Sequence, residues 1–114
     1  MFVTLVTGDG RVVCRRCTVA DSVRTRLRGL LGKSALEPHQ GLLLRPANSV
    51  HTAFMRFPID VVFLDGNLKV LDVVEGVPPW RMKAKKGARA VLELAAGEAA
   101  RQGIGPADSL SLQE

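Results

Sequence analysis

The sequence predicts a mainly β fold, α+β at the margin: a compact, mostly antiparallel small barrel or sandwich of about seven short strands with two short peripheral helices. Three observations predict it. Short β-branched runs recur along the chain, separated by turn residues, and Gly8-Asp9-Gly10 and Asp65-Gly66-Asn67 have hairpin chemistry. The 11 Gly and 6 Pro interrupt the chain too often for long helices. No Gly-rich phosphate loop follows any strand, and the helices are too few to cross over between the parallel strands of a βαβ enzyme core. At 114 residues the chain can close one core but not two, so residues 1–114 are expected to form a single β-rich domain.

Phe2 to Thr7 alternates in the manner of a strand, meets the first turn, and returns as Val12 to Val19. Within this second run Val12 and Cys14 share a face, while Cys17 and Val19 are one residue out of phase. A bulge at Arg15-Arg16 would put all four on the core side. Asp21 or Ser22 can cap a helix whose Val23, Leu27, Leu30 and Leu31 form one buried stripe, which Gly32 ends. Arg24, Arg26 and Arg28 make that helix the most basic element.

Strands resume at Gly41–Leu44 and Val50–Met55. Ile59–Asp65 is apolar on both faces and therefore central. Leu68–Val77 follows, then a loop around Pro78-Pro79, then a strand at Ala88–Ala95. Ala96–Gln102 forms one or two helical turns closed by Gly103, and Ser109–Gln113 is a last short strand.

The net charge is +5 and the pI near 9.9. Residues 1–36 carry +5, residues 37–76 carry −2 and residues 77–114 carry +2, so cationic segments flank a net-acidic centre. No run is apolar for the 18 or so residues of a membrane span, and the first residues lack the charged start and apolar centre of a secretory signal. The cytoplasm is the expected compartment. With aromatics at 4% and no Tyr, the chain lacks the stacking platforms of single-strand nucleic-acid binders.

Arg26-Leu27-Arg28-Gly29-Leu30-Leu31-Gly32, Gly41-Leu42-Leu43-Leu44, the block from His51 to Asp65 and Val91-Leu92-Glu93-Leu94-Ala95-Ala96-Gly97 occur in order over nearly the whole chain. Together they resemble the successive signatures of the bacterial and archaeal family catalogued as domain of unknown function 192. The resemblance implies a compact β-rich domain with no established activity and no known cofactor. Against the family pattern, the first residues do not read as the export signal that many members carry, Phe54 stands where Trp is common, and Ala107 stands where a Gly-Asp turn is usual.

Cys14-Arg15-Arg16-Cys17 has CxxC spacing. A redox pair would open a helix, however, and this pair sits in a strand. A zinc site would need further ligands, with only His39 and His51 at hand. Core thiols fit better, so neither metal nor cofactor is expected. The block from His51 to Asp60 gathers an imidazole, the Thr52 hydroxyl, Met55, Arg56 and a carboxylate, with Pro58 breaking the ladder. Asp60 lies among apolar neighbours. It is either a buried carboxylate held by backbone N–H groups or an arginine, or the partner of His51 in an acid–base pair or ligand pocket.

The segment Val77–Gly87 joins the only Trp, two prolines and four cations. Trp80 is expected to fold back as a lid on the barrel end; the competing reading has it stack on a base, grip a peptide or rest at a headgroup layer. No nucleophile elbow or HExxH is present, and no catalytic residue is assigned.

These readings converge on a non-enzymatic binding or accessory domain. Its open end would receive a peptide, partner protein or small anionic ligand through Arg28, His51, Thr52, Met55, Arg56, Asp60, Trp80, Arg81 and Glu93. The alternatives are an enzyme of unrecognised type using His51 and Asp60 and, more weakly, nucleic-acid binding through the basic helix and the Lys-rich loop.

Overall fold

The β-branched and aliphatic residues of Phe2–Thr7 form β1, which turns at Gly8–Gly10 into β2 (Val12–Ala20). Gly10 adopts φ 90°, the left-handed conformation that this turn requires of glycine. The computed structural model describes residues 2–20, 36–53 and 55–113. The helix expected from Asp21 to Gly32, with Arg24, Arg26 and Arg28, lies outside the described residues, as does Phe54.

The bulge expected in β2 is present. Val3 pairs with Cys17 and Leu5 with Cys14, so β2 takes an extra residue at Arg15-Arg16, whose amides both donate to the His39 carbonyl at 3.0 and 2.9 Å. Both arginines are exposed and both cysteines are buried. A second irregularity follows, because Val6 pairs with Val12. The extra residue there is Val13, and it is Val13 rather than Val12 that is fully buried.

Seven strands form one sheet, in the order β6 (Val70–Val77), β5 (Ile59–Leu64), β8 (Ala90–Ala95), β3 (Gln40–Leu44), β2, β1 and β9 (Leu110–Gln113). All neighbours are antiparallel except β2 and β3. One apolar layer holds Leu5, Val13, Cys14, Cys17, Leu43, Val62, Leu92 and Leu94. The other holds Leu42, Leu44, Ile59, Val61, Phe63 and Val91 beneath Leu36, Val50, Met55 and Phe57 of the connecting segments.

Strand β5 is therefore buried on both faces, as its unbroken apolar run predicts. Each fully buried Leu or Val of these layers contributes roughly 1.5–3 kcal/mol. The sheet does not close into a barrel, but one bridge, Lys69 to Ser109, ties its two edges together at one end. There the Val70 amide donates to Asp108 at 2.8 Å and the Leu110 amide to Leu68 at 2.9 Å.

Two departures concern the candidate site. The strand expected at Val50–Met55 is the short β4 (Ser49–His51). The segment expected to be a loop contains β7 (Met82–Ala84), and the two pair antiparallel as a separate ribbon. The short helix α1 (Glu98–Gln102) ends at Gly103, φ 68°, whose amide donates to the Ala100 carbonyl at 3.1 Å.

Candidate functional site

Asp60 sits at the start of β5 at 0% exposure, facing the layer that holds Val62 and Leu64. Both carboxylate oxygens are occupied by backbone. Oδ1 accepts from the Gly76 amide at 2.9 Å, and Oδ2 accepts from the amides of Gly97 at 3.0 Å and Ala99 at 2.9 Å. Gly97 has no side chain with which to cap α1, so Asp60 supplies that carboxylate from a neighbouring strand. This is the structural form of the two readings open for Asp60.

Glu93, at 3% exposure, pairs with Val61 and Leu42 and faces the opposite layer. Asp60 and Glu93 are therefore on different faces of one sheet. His51 is exposed on β4 and forms no hydrogen bond with Asp60 among the described residues. The acid–base pair of His51 and Asp60 is not assembled. Met55 is buried in the second apolar layer, Arg56 is exposed, and Arg28 is outside the described residues.

Other members of the group do converge. Thr52 is buried, and its Oγ1 donates to the Pro78 carbonyl at 2.7 Å while accepting from the Arg81 amide at 2.8 Å. Its own amide donates to the Arg81 carbonyl at 2.8 Å, and its carbonyl accepts from the Trp80 amide at 3.1 Å. The segment 78–81 is thus clamped on both sides of Trp80. The Trp80 backbone has φ 66°, a conformation that a bulky residue adopts only where its surroundings impose it. Arg81 Nη1 donates back to the Trp80 carbonyl at 3.2 Å.

The clamp holds the indole outward. Trp80 is 61% exposed and Met82 is 70% exposed, so Trp80 is not the lid expected from the sequence. His51 is the cross-strand partner of Met82. Val50, one residue earlier, is buried, which turns His51 and Met82 to the solvent side of the ribbon. Met82 was the residue missed. Its signal was the two-residue spacing from Trp80, obscured by the prolines and lysines around it.

Shallow cavities of about 490 and 320 Å³ lie elsewhere, the first lined by Pro46, Ala47, Asn48, Gly87, Ala88 and Arg89 and the second including Arg45, Asp65 and Arg89. Neither is lined by His51, Asp60 or Trp80. Among the described residues no three His, Cys, Asp or Glu side chains gather as metal ligands. No helix among them is long and apolar enough to cross a membrane.

The family model described as "Uncharacterized ACR, COG1430", DUF192, matches residues 4–112. The chain belongs to the DUF192 family. Two curated relatives carry only a family-type name. A UPF0127 protein of Thermococcus sibiricus is 34% identical over 97 residues, covering 77% of this chain and 60% of its own. The UPF0127 protein PH1112 of Pyrococcus horikoshii is 38% identical over 82 residues, covering 66% of this chain and 68% of its own. The match therefore spans well short of the relatives' full length.

Two crystal structures share the fold. A Sinorhizobium meliloti protein, named as a candidate transcription regulator, superposes with a TM-score of 0.83 at 24% identity over 96% of this chain and 91% of its own. A protein of unknown function from Novosphingobium aromaticivorans superposes with a TM-score of 0.81 at 24% identity over 97% of this chain and 84% of its own. At that identity the likeness describes the DUF192 fold alone.

Proposed function

We propose that this DUF192 domain is a non-enzymatic binding or accessory module that takes a segment of a partner protein on the β4–β7 ribbon. One observation carries the reading: Trp80 and Met82 are presented to solvent at 61% and 70% exposure on a backbone that Thr52 clamps from both sides. A fold that uses a buried hydroxyl and a left-handed tryptophan to hold an indole outward has invested stability in display. Aromatics and methionines are enriched at protein interfaces, and a backbone already fixed leaves less freedom to lose on binding. The cytoplasm is the proposed compartment, supported by the free thiols of Cys14 and Cys17.

Trp80 is the only tryptophan, so it reports its own occupancy. A panel of acidic and basic peptides containing apolar residues is titrated while its emission is followed. Binding shifts the emission to the blue and weakens as salt rises. A panel that leaves the emission unmoved at about 1 mM peptide, a free energy near −4 kcal/mol, overturns the reading.

A small-anion reading rests on a different place. Arg45 and Arg89 line the same cavity of about 320 Å³ together with Asp65, and neither guanidinium forms an ion pair with a carboxylate among the described residues. Inorganic phosphate titrated against the chain and its Arg89→Ala variant tests it. Equal binding by both removes this reading.

A further inference from the structure

Among the described residues β7 pairs on one edge only, with β4. The Thr52 amide donates to Arg81 and the Lys85 amide to Asn48, at 2.8 and 3.1 Å, and between them Ser49 pairs with Ala84, Val50 with Lys83 and His51 with Met82. Hydrogen-bonded and non-bonded pairs alternate in an antiparallel ladder. Lys83 is therefore bonded to Val50, while Met82 and Ala84 turn their N–H and C=O groups away from β4. Among the described residues no strand pairs with that outer edge of β7, and all three of its residues are exposed.

The cations beside this edge outnumber their carboxylate partners. Lys85 meets Asp72 at 4.0 Å, whereas Arg81, Lys83 and Lys86 have no carboxylate partner among the described residues. Lysine on a short edge strand deters pairing with neutral or basic chains. With an acidic chain the same charges attract. Alternation along β7 puts Lys83, itself exposed, on the face of Val50 and puts Met82 and Ala84 on the solvent face with His51, so a strand docked there meets the Lys83 ammonium on one side and the Met82 and Ala84 surface on the other.

We propose that the outer edge of β7 receives an extended, acidic segment of a partner protein as a third strand, with its acidic residues toward Lys83 and its alternate apolar residues toward Met82 and Trp80. The proposal rests on the binding reading above and names its partner class and mode. Main-chain hydrogen bonds from Met82 and Ala84 supply affinity, and the alternation supplies specificity.

The register makes the proposal testable one amide at a time. A blocked peptide of alternating Glu and Val, the same peptide with N-methylated amides, and a Lys/Val counterpart are titrated by calorimetry against the full chain and three variants. Met82→Pro deletes an outward N–H and leaves the β4 ladder intact. The expected result is binding of the Glu/Val peptide alone, weakened at least about tenfold by Met82→Pro, which removes one hydrogen bond together with the Met82 side chain, and abolished by N-methylation. Lys83→Glu reverses the preference toward the Lys/Val peptide. If Met82→Pro does not fold, the N-methylated peptide reads the same bond from the other side.

Equal binding of the N-methylated and unmodified peptides overturns strand addition while leaving a binding surface in place. Absence of Glu/Val binding at about 1 mM also overturns it. Failure of the underlying reading has a different signature: the Glu/Val peptide binds a Trp80→Ala/Met82→Ala double variant as tightly as it binds the parent chain.

Discussion

Thr52 and Arg81 hold one another twice: the Thr52 amide donates to the Arg81 carbonyl at 2.8 Å, and the Arg81 amide donates to Thr52 Oγ1 at 2.8 Å. The second bond replaces one that the Thr52 carbonyl would otherwise accept in a regular ladder. That carbonyl is left to receive the Trp80 amide instead, and the chain turns outward at the tryptophan.

Thr52→Val keeps the shape of the side chain and removes Oγ1, leaving the Pro78 carbonyl and the Arg81 amide without their partner. The expected loss is about 1–3 kcal/mol in urea unfolding. Iodide should quench Trp80 fluorescence with altered efficiency as its backbone relaxes. An unchanged unfolding midpoint contradicts the clamp.

Asp60→Asn replaces an acceptor of three amides with a group that has one acceptor oxygen and a donor pointing at N–H groups. A destabilisation of roughly 2–4 kcal/mol is expected, with α1 and the β5–β6 edge losing amide-exchange protection first. A stable Asp60→Asn chain would remove Asp60 from its anchoring role.

Gly41 on β3 has no space for a methyl. A Cβ there would meet Cys14 Sγ at 2.9 Å, Leu94 Cδ2 at 3.1 Å and the Glu93 carbonyl at 3.2 Å. Gly41→Ala is expected to cost about 1–3 kcal/mol. Because the nearest contact is Sγ, Cys14→Ala should reduce the cost of Gly41→Ala, and a double-mutant cycle measures that coupling. Strict additivity would show that the thiol is not the obstacle.

Buried Glu98 accepts bonds from Arg101 at 2.6 and 2.7 Å, and this pairing holds its carboxyl below the usual range. A carboxyl whose folded pKa is depressed adds stability above its unfolded pKa and loses it as the pH falls through the folded value. Glu98→Gln should therefore flatten the acid limb of the stability profile below about pH 4.5. At neutral pH the variant should be the less stable of the two, and melting curves across acid pH read both effects. Parallel acid limbs for the two chains contradict the pairing.

Cys14 and Cys17 lie side by side in the core. Hydrogen bonding to Cys14 and then burial push the Cys17 thiol far above its ordinary value, so it stays protonated. An aromatic disulfide reagent should leave Cys17 unreacted in the native chain at pH 8 and titrate both thiols after unfolding. Rapid native reaction of Cys17 would place it outside the core.

Much of the large sheet was legible in the sequence, because burial on one or two faces writes itself into apolar spacing. The unbroken run of β5 marked a strand buried on both faces, although it lies next to the edge strand β6 and not at the centre of the sheet, and the phase slip between Cys14 and Cys17 marked a bulge. Strand β7 was hidden for the converse reason: all three of its residues are exposed, so no alternation of hydrophobicity records it. The second irregularity, at Val13, was masked because its neighbours are equally apolar. At the site, the sequence identified Asp60 and Thr52 as unusual polar residues but not their partners. Those partners are backbone groups of Gly76, Ala99, Pro78 and Arg81, and main-chain atoms leave no residue-type signature. Nearness in sequence also misled: His51 and Asp60 are separated by the Pro58 break, and one went to the ribbon while the other went to the sheet.

The position of β1 between β2 and β9 has a temporal consequence. β1 can zip to β2 as soon as their turn has left the ribosome, but its other edge stays open until residues 110–113 arrive. Until then the nascent chain carries an unpaired β1 edge, and the arrival of β9 covers it. Chaperone dependence should concentrate in that interval.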